Sequence, residues 1–149
     1  MAASLFKPTV PGRHEPIRLL LVDDCEAILN SLATFLSSNG DIEIVGTAGD
    51  GCTALDIARE CHPGLVLMDI QMPKMEGITA ATQLSAEQPE AKVILMSAHD
   101  YPDLTSVCLK AGVLGFIPKA RLRQELPKFL DKIFESRVEP SAKTVSAQQ

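Results

Sequence analysis

Asp69 closes the apolar run Leu65-Val66-Leu67-Met68 and opens the segment Ile70-Gln71-Met72-Pro73-Lys74-Met75-Glu76-Gly77. If that run is a buried parallel strand, the carboxylate stands at its carboxyl end, where open α/β sheets place their chemistry. An acidic pair, Asp23-Asp24, follows the equally apolar Ile17-Arg18-Leu19-Leu20-Leu21-Val22, Ser97 ends Lys92-Val93-Ile94-Leu95-Met96, and Lys119 stands just past Val113 to Ile117. Carboxylates gathered at one sheet edge repel, and at least one must hold a raised pKa unless a cation binds. Hard oxygen ligands suit Mg²⁺, with Mn²⁺ as a substitute; Mg²⁺ takes one or two carboxylates, keeps several waters and accepts phosphoryl oxygens. Lys119 then offers a positive point charge and Ser97 a hydroxyl donor to the same phosphoryl oxygens. A carboxylate in line with that group can be its nucleophile, forming an aspartyl phosphate. Asp69 is the candidate phosphoacceptor, and Asp23 and Asp24 are the metal-holding pair.

Five repeats of strand then helix must position these residues. The strands are predicted at Ile17 to Val22, Ile42 to Val45, Leu65 to Met68, Lys92 to Met96 and Val113 to Ile117, with Thr47 to Gly51 as a loop. Helical spacing runs from Cys25 to Ser38 (Ile28, Leu32, Phe35, Leu36), from Cys52 to Cys61 (Ala54, Leu55, Ala58) and from Ile78 to Glu87. A fourth helix is marked by Leu104, Val107, Cys108 and Ala111, and a fifth by Leu126, Phe129, Leu130 and Ile133. The fifth should start near Arg123, leaving Pro127 in the first turn, where no donor is needed. Right-handed crossovers turn this order into an α/β fold of flavodoxin-like (βα)5 type. Its five-stranded parallel sheet should have order 2-1-3-4-5, with helices on both faces. Residues 1–16 read as a flexible N-terminal extension, 17–136 as the folded domain and 137–149, polar and aperiodic, as a flexible C-terminal tail.

Composition narrows the function classes. The chain has 149 residues, 46% of them hydrophobic and 22% charged, enough for one domain with its own core. A formal charge of −5 gives no basic surplus for nucleic acid phosphates, so no direct nucleic acid partner is expected. No run approaches the roughly 20 apolar residues that span a bilayer, so the expected partners include no membrane and the expected location is the cytoplasm. Cys25, Cys52, Cys61 and Cys108 occur singly, without metal-ligand spacing, and are expected to pack as small hydrophobes.

Taken together, Asp23-Asp24, Ala48-Gly49-Asp50-Gly51, Asp69-x-x-Met72-Pro73-x-Met75-x-Gly77, Ser97-Ala98 and Gly115-Phe116-Ile117-Pro118-Lys119 make the chain resemble the receiver domain of two-component response regulators, over roughly Ile17 to Phe134. The resemblance implies that Asp69 accepts a phosphoryl group from a phosphohistidine on a sensor histidine kinase or histidine phosphotransfer protein. It implies a Mg²⁺ held by Asp24, Asp69 and the backbone carbonyl of Gln71, with Asp23 acting mostly through water. Ser97, Ala98 and Lys119 would bind the phosphoryl group, and Ser97 and Phe116 would form the switch. Gln71 and His99 stand at the two positions that tune dephosphorylation. Ser97 is less usual than threonine at its position, and Ala120 stands where many members carry proline.

Some readings stay open at this level. Phe116 is either a switch or plain core, and His99 either a surface residue or a rate-tuning one. The resemblance implies a phosphoacceptor signalling module, not an enzyme with an independent substrate, that changes affinity for an output partner or forms a homodimer through the face of the fourth helix, fifth strand and fifth helix. The chain reads as a stand-alone receiver or one cut from a longer regulator; the alternative is the receiver part of a DNA-binding transcriptional regulator. A Mg²⁺-dependent aspartyl-phosphate phosphatase is more distant, because Asp69-Ile70-Gln71 lacks the second acid of a D-x-D pair. A flavin carrier would need a phosphate-cradling loop where Asp23-Asp24-Cys25-Glu26 stands.

Overall fold

The computed structural model describes residues 15–98, 106, 108 and 111–147. Strands β1 (Ile17–Val22), β2 (Ile42–Ala48), β3 (Leu65–Asp69), β4 (Lys92–Ser97) and β5 (Gly115–Pro118) form one parallel sheet of order β2-β1-β3-β4-β5. Helices α1 (Glu26–Leu36), α2 (Gly51–Cys61) and α3 (Gly77–Glu87) alternate with the first strands, and a 3-10 turn, Lys119–Arg121, leads into the C-terminal helix, Leu122–Ala147. The expected flavodoxin-like α/β architecture and strand order are therefore found.

The continuous apolar runs have a simple cause: β1, β3 and β4 are covered on both faces. Leu20, Val22, Val66, Met68, Val93 and Leu95 face Ala54, Leu55, Ala58, Ala80, Ala81 and Leu84 of α2 and α3. The alternate residues Leu19, Leu21, Leu65, Leu67, Ile94 and Met96 face Leu29, Leu32, Phe35 and Leu36 of α1 and Leu122, Leu126, Leu130 and Ile133 of the C-terminal helix. On α1 the inward position is Leu29, whereas Ile28 is only partly buried. With both layers in place, the register Val22↔Met68 and Asp69↔Met96 is constrained, since a one-residue slip would exchange the two faces.

Several expected boundaries are corrected. Edge strand β2 reaches Ala48, beyond Val45, because a register shift between Leu19 and Leu20 leaves Val45 as an extra residue and resumes pairing at Gly46. The C-terminal helix begins at Leu122, so Pro127 is its sixth residue and not in the first turn. Residues 137–147, read from the sequence as a flexible tail, have helical backbone continuous with that helix. Missing apolar periodicity shows only that a segment offers no core-facing stripe; it does not argue against helical backbone. Of the cysteines, Cys108 alone is buried, Cys61 is intermediate, and Cys25 and Cys52 are exposed. Ser106, Cys108 and Ala111 are helical, whereas Leu104, Val107 and His99 lie outside the described residues.

Candidate functional site

The sheet register builds the site directly. Because Val22 pairs with Met68, the next residues along the chain, Asp23 just past β1 and Asp69 at the last position of β3, come side by side at the sheet edge. Asp23, Asp24 and Asp69 each place a carboxylate oxygen within 4.8 Å of the others. Asp23 is fully buried and Asp69 nearly so, while Asp24 is exposed. From the 3-10 turn after β5, Lys119 reaches across β4 and β3, placing Nζ 2.6 Å from Asp23 Oδ2 and 3.4 Å from Asp69 Oδ2. The ammonium therefore lies nearer Asp23 than the candidate phosphoacceptor Asp69.

Backbone donors hold the other carboxylate oxygens. The Cys25 N–H donates to Asp23 Oδ1 at 2.8 Å, and the Gln71 N–H donates to Asp69 Oδ1 at 3.4 Å. Asp69 is held above the ordinary carboxylate range, first by burial and then by the Asp23 charge; Lys119 and the Gln71 N–H oppose that rise without cancelling it. This is the conflict expected of clustered acids without a second cation. Burial works to lower the Lys119 pKa, but its close ion pair with Asp23 and the charge of Asp69 outweigh it, so the ammonium is held charged.

The donor set fits a hard divalent cation. All three side chains offer carboxylate oxygen, and Asp23 Oδ2 is buried without a well-aligned hydrogen bond although Lys119 lies close. The exposed Asp24 leaves one side open to water or an incoming group.

The remaining candidates fall around this edge. Ser97 is buried at the end of β4, in register with Pro118, one residue before Lys119. Ala98 and Gln71 are exposed. Phe116 is half-buried against the core layer shared with α2 and α3, and its strand neighbour in register is Leu95. The candidate His99 lies outside the described residues.

Two structural roles near the site go beyond the residues singled out for chemistry. A Cβ on Gly77 would lie 2.0 Å from the Asp69 carbonyl oxygen, so the chain can return past the acid only with glycine there. Asp50 caps α2, accepting from the Thr53 N–H at 2.8 Å. The second was accessible from the Asp-Gly-x-Thr pattern at a helix start; the first required the fold.

Comparison with known proteins gives a consistent set of matches. The family model described as the response regulator receiver domain matches residues 19–131. The transcriptional regulatory protein MctR of Rhizobium johnstonii is 37% identical over 117 residues, covering 78% of this chain and 55% of that protein. The transcriptional regulatory protein LiaR of Bacillus subtilis is 36% identical over 110 residues, covering 74% of this chain and 52% of that protein. The chain thus spans about half the length of these curated relatives. Among solved structures, the signal receiver domain of NarL from Mycobacterium tuberculosis superposes with a TM-score of 0.74 at 31% identity, covering 80% of this chain and 97% of that one. A CheX-CheY complex with BeF3 and Mg from Borrelia burgdorferi matches with a TM-score of 0.75 at 31% identity, covering 80% of this chain and 90% of that one. Among the described residues, no helix is long and apolar enough to cross a membrane.

Proposed function

The chain belongs to the receiver-domain family of two-component response regulators, and from that premise we propose that Asp69 is its phosphoacceptor in a Mg²⁺-dependent transfer from a phosphohistidine. The observation that carries this reading is the meeting of Asp23, Asp24 and Asp69 within 4.8 Å, with the Lys119 ammonium 3.4 Å from Asp69.

In the transfer, an Asp69 carboxylate oxygen attacks phosphorus and forms the new P–O bond as the P–N bond breaks. The electron pair stays on the departing imidazole nitrogen, which takes up a proton. Asp23 and Asp24, with Asp69 and the Gln71 backbone carbonyl, would hold the metal. When bound, Mg²⁺ supplies positive charge to the phosphoryl oxygens and relieves the repulsion among the acids. Lys119 neutralises a phosphoryl oxygen in the same step, and Ser97 and Ala98, at the end of the neighbouring strand, bind the phosphoryl group beside it. Hydrolysis reverses the modification: water attacks phosphorus, the P–O bond to Asp69 breaks and inorganic phosphate leaves, at a rate that Gln71 and His99 tune. The module catalyses its own phosphorylation and dephosphorylation and turns over no separate substrate.

The donor is a sensor histidine kinase or a histidine phosphotransfer protein. Ser97 and Phe116 relay phosphorylation to the surface of β5 and the C-terminal helix, which changes affinity for an output partner or a second copy. Because the relatives named as transcriptional regulatory proteins are about twice the matched length, a transcriptional output through a DNA-binding module is the second reading. Incubation with a small phosphoryl donor and Mg²⁺ tests the first step. A mass gain of one phosphoryl group is expected, absent with chelator and absent in Asp69→Asn; a label that persists in that variant refutes the assignment.

A further inference from the structure

The loop that follows Asp69, residues 70–76, is clamped at two places. At its base the Gly77 N–H donates to the Ile70 carbonyl at 2.8 Å. At its apex the Pro73 carbonyl accepts from the Met75 N–H at 2.7 Å around Lys74, whose φ is 70°. A three-residue turn of this hand is rare and strained, and persists only where the surroundings impose it.

What lies against the apex is the first turn of α2. A Cβ on Gly51 would come within 2.8 Å of both the Cβ and the carbonyl oxygen of Met75. Beside that contact, Lys74 Nζ stands 3.8 Å from Asp50 Oδ2. Asp50 cannot drift freely, because its two carboxylate oxygens also accept from the Thr53 N–H at 2.8 Å and the Thr53 hydroxyl at 3.1 Å. Gln71, whose N–H bonds Asp69, lies between the two clamps.

We propose that the first turn of α2 is a latch: Gly51 against Met75, and Asp50 facing Lys74, fix the loop that carries Gln71 and thereby set how readily Asp69 is phosphorylated. These are positioning residues; none of them touches the reacting groups. The inference rests on Asp69 being the phosphoacceptor. Displacing the apex moves Gln71 relative to Asp69, and misplacement of about 1 Å in such a site can cost on the order of 100-fold in rate.

The test compares Gly51→Ala with Gly46→Ala in the full chain. The control crowds the same helix, since a Cβ on Gly46 would lie 3.1 Å from Ile57 Cγ2, but its crowded neighbours, Ile57 and Leu20, are not in the loop. The Mg²⁺ concentration for half-maximal labelling by a small phosphoryl donor should rise at least about fivefold in Gly51→Ala and stay within about twofold of wild type in Gly46→Ala. Equal shifts in both variants, or none in Gly51→Ala, overturn the latch. Lys74→Ala keeps the proposal falsifiable if Gly51→Ala does not fold. Through its field alone, loss of a cation on this loop would favour Mg²⁺; the latch instead requires weaker apparent Mg²⁺ affinity, read as a higher half-maximal concentration for labelling. An unchanged or lower value overturns it. A wild-type chain that takes no label refutes the phosphoacceptor reading itself, a result distinct from any difference among variants.

Discussion

Replacing Asp69 with asparagine should stabilise the metal-free protein while removing its chemistry. With an effective dielectric constant of about 20, repulsion of Asp69 by Asp23 across the 4.8 Å that bounds the cluster is about 3.5 kcal/mol, and attraction to Lys119 at 3.4 Å is about 5 kcal/mol. The exposed Asp24 adds a smaller, screened repulsion, and burial of Asp69 adds a desolvation cost. Lys119 also keeps its nearer partner, Asp23, when Asp69 loses its charge. Burial together with the neighbouring acids outweighs Lys119, which is why the Asp69 pKa is raised, so the balance favours the neutral side chain at neutral pH. Urea unfolding in chelator, followed by far-UV circular dichroism because the chain has no tryptophan, reads this difference.

The pH dependence has a definite sign. The Asp69 pKa is raised on folding, so the folded state binds more protons than the unfolded state above the unfolded carboxyl value, 3.8. Wild-type stability from this group therefore falls as pH rises from there through the folded pKa, and is flat above it. The advantage of Asp69→Asn should grow over that window and vanish below it. Saturating Mg²⁺ should reverse the order, because at 100 times its Kd it stabilises the wild type by about 2.7 kcal/mol. An asparagine variant less stable than wild type in chelator, or a gap that widens as pH falls below 3.8, refutes the electrostatic reasoning.

Lys119→Met should destabilise the metal-free chain by about 3–5 kcal/mol, since it leaves buried acids uncompensated, and Mg²⁺ should restore much of the loss in the same urea titration. Gly77→Ala should cost about 3 kcal/mol or prevent folding, because its methyl group would lie 2.0 Å from the Asp69 carbonyl oxygen; wild-type unfolding would contradict the close return of the loop. Beryllofluoride with Mg²⁺ should shift the Phe116 ring resonances as the half-buried ring turns inward. Unchanged ring contacts in nuclear Overhauser spectra would remove Phe116 from the switch while leaving the phosphoacceptor site intact.

The central sheet was legible because β1, β3 and β4 are apolar at nearly every position, a pattern that burial on both faces demands. The ends of such strands place Asp23, Asp24 and Asp69 at one edge of the sheet. Edge strand β2 was harder: Glu43 and Thr47 are exposed, and Gly46-Thr47 carries turn chemistry although it pairs with β1. Residues 137–147 have helical backbone without the periodic apolar stripe on which a sequence reading depends. Spacing also cannot rank the partners of a cation. Only the fold shows Lys119 at 2.6 Å from Asp23 and 3.4 Å from Asp69. The same holds for Gly51 and Gly77, whose missing side chains matter because backbone passes within 3 Å of where a Cβ would be.

Chemical mapping of the phosphoryl group tests the phosphoacceptor assignment at the level of a single atom. After labelling by a small phosphoryl donor in Mg²⁺, borohydride reduction converts an aspartyl phosphate to homoserine, and peptide sequencing by mass spectrometry locates it. Homoserine at position 69, and unmodified acid at Asp23 and Asp24, is the predicted result. Homoserine at either member of the acidic pair, or a label that resists borohydride and maps to a histidine or serine, would contradict it.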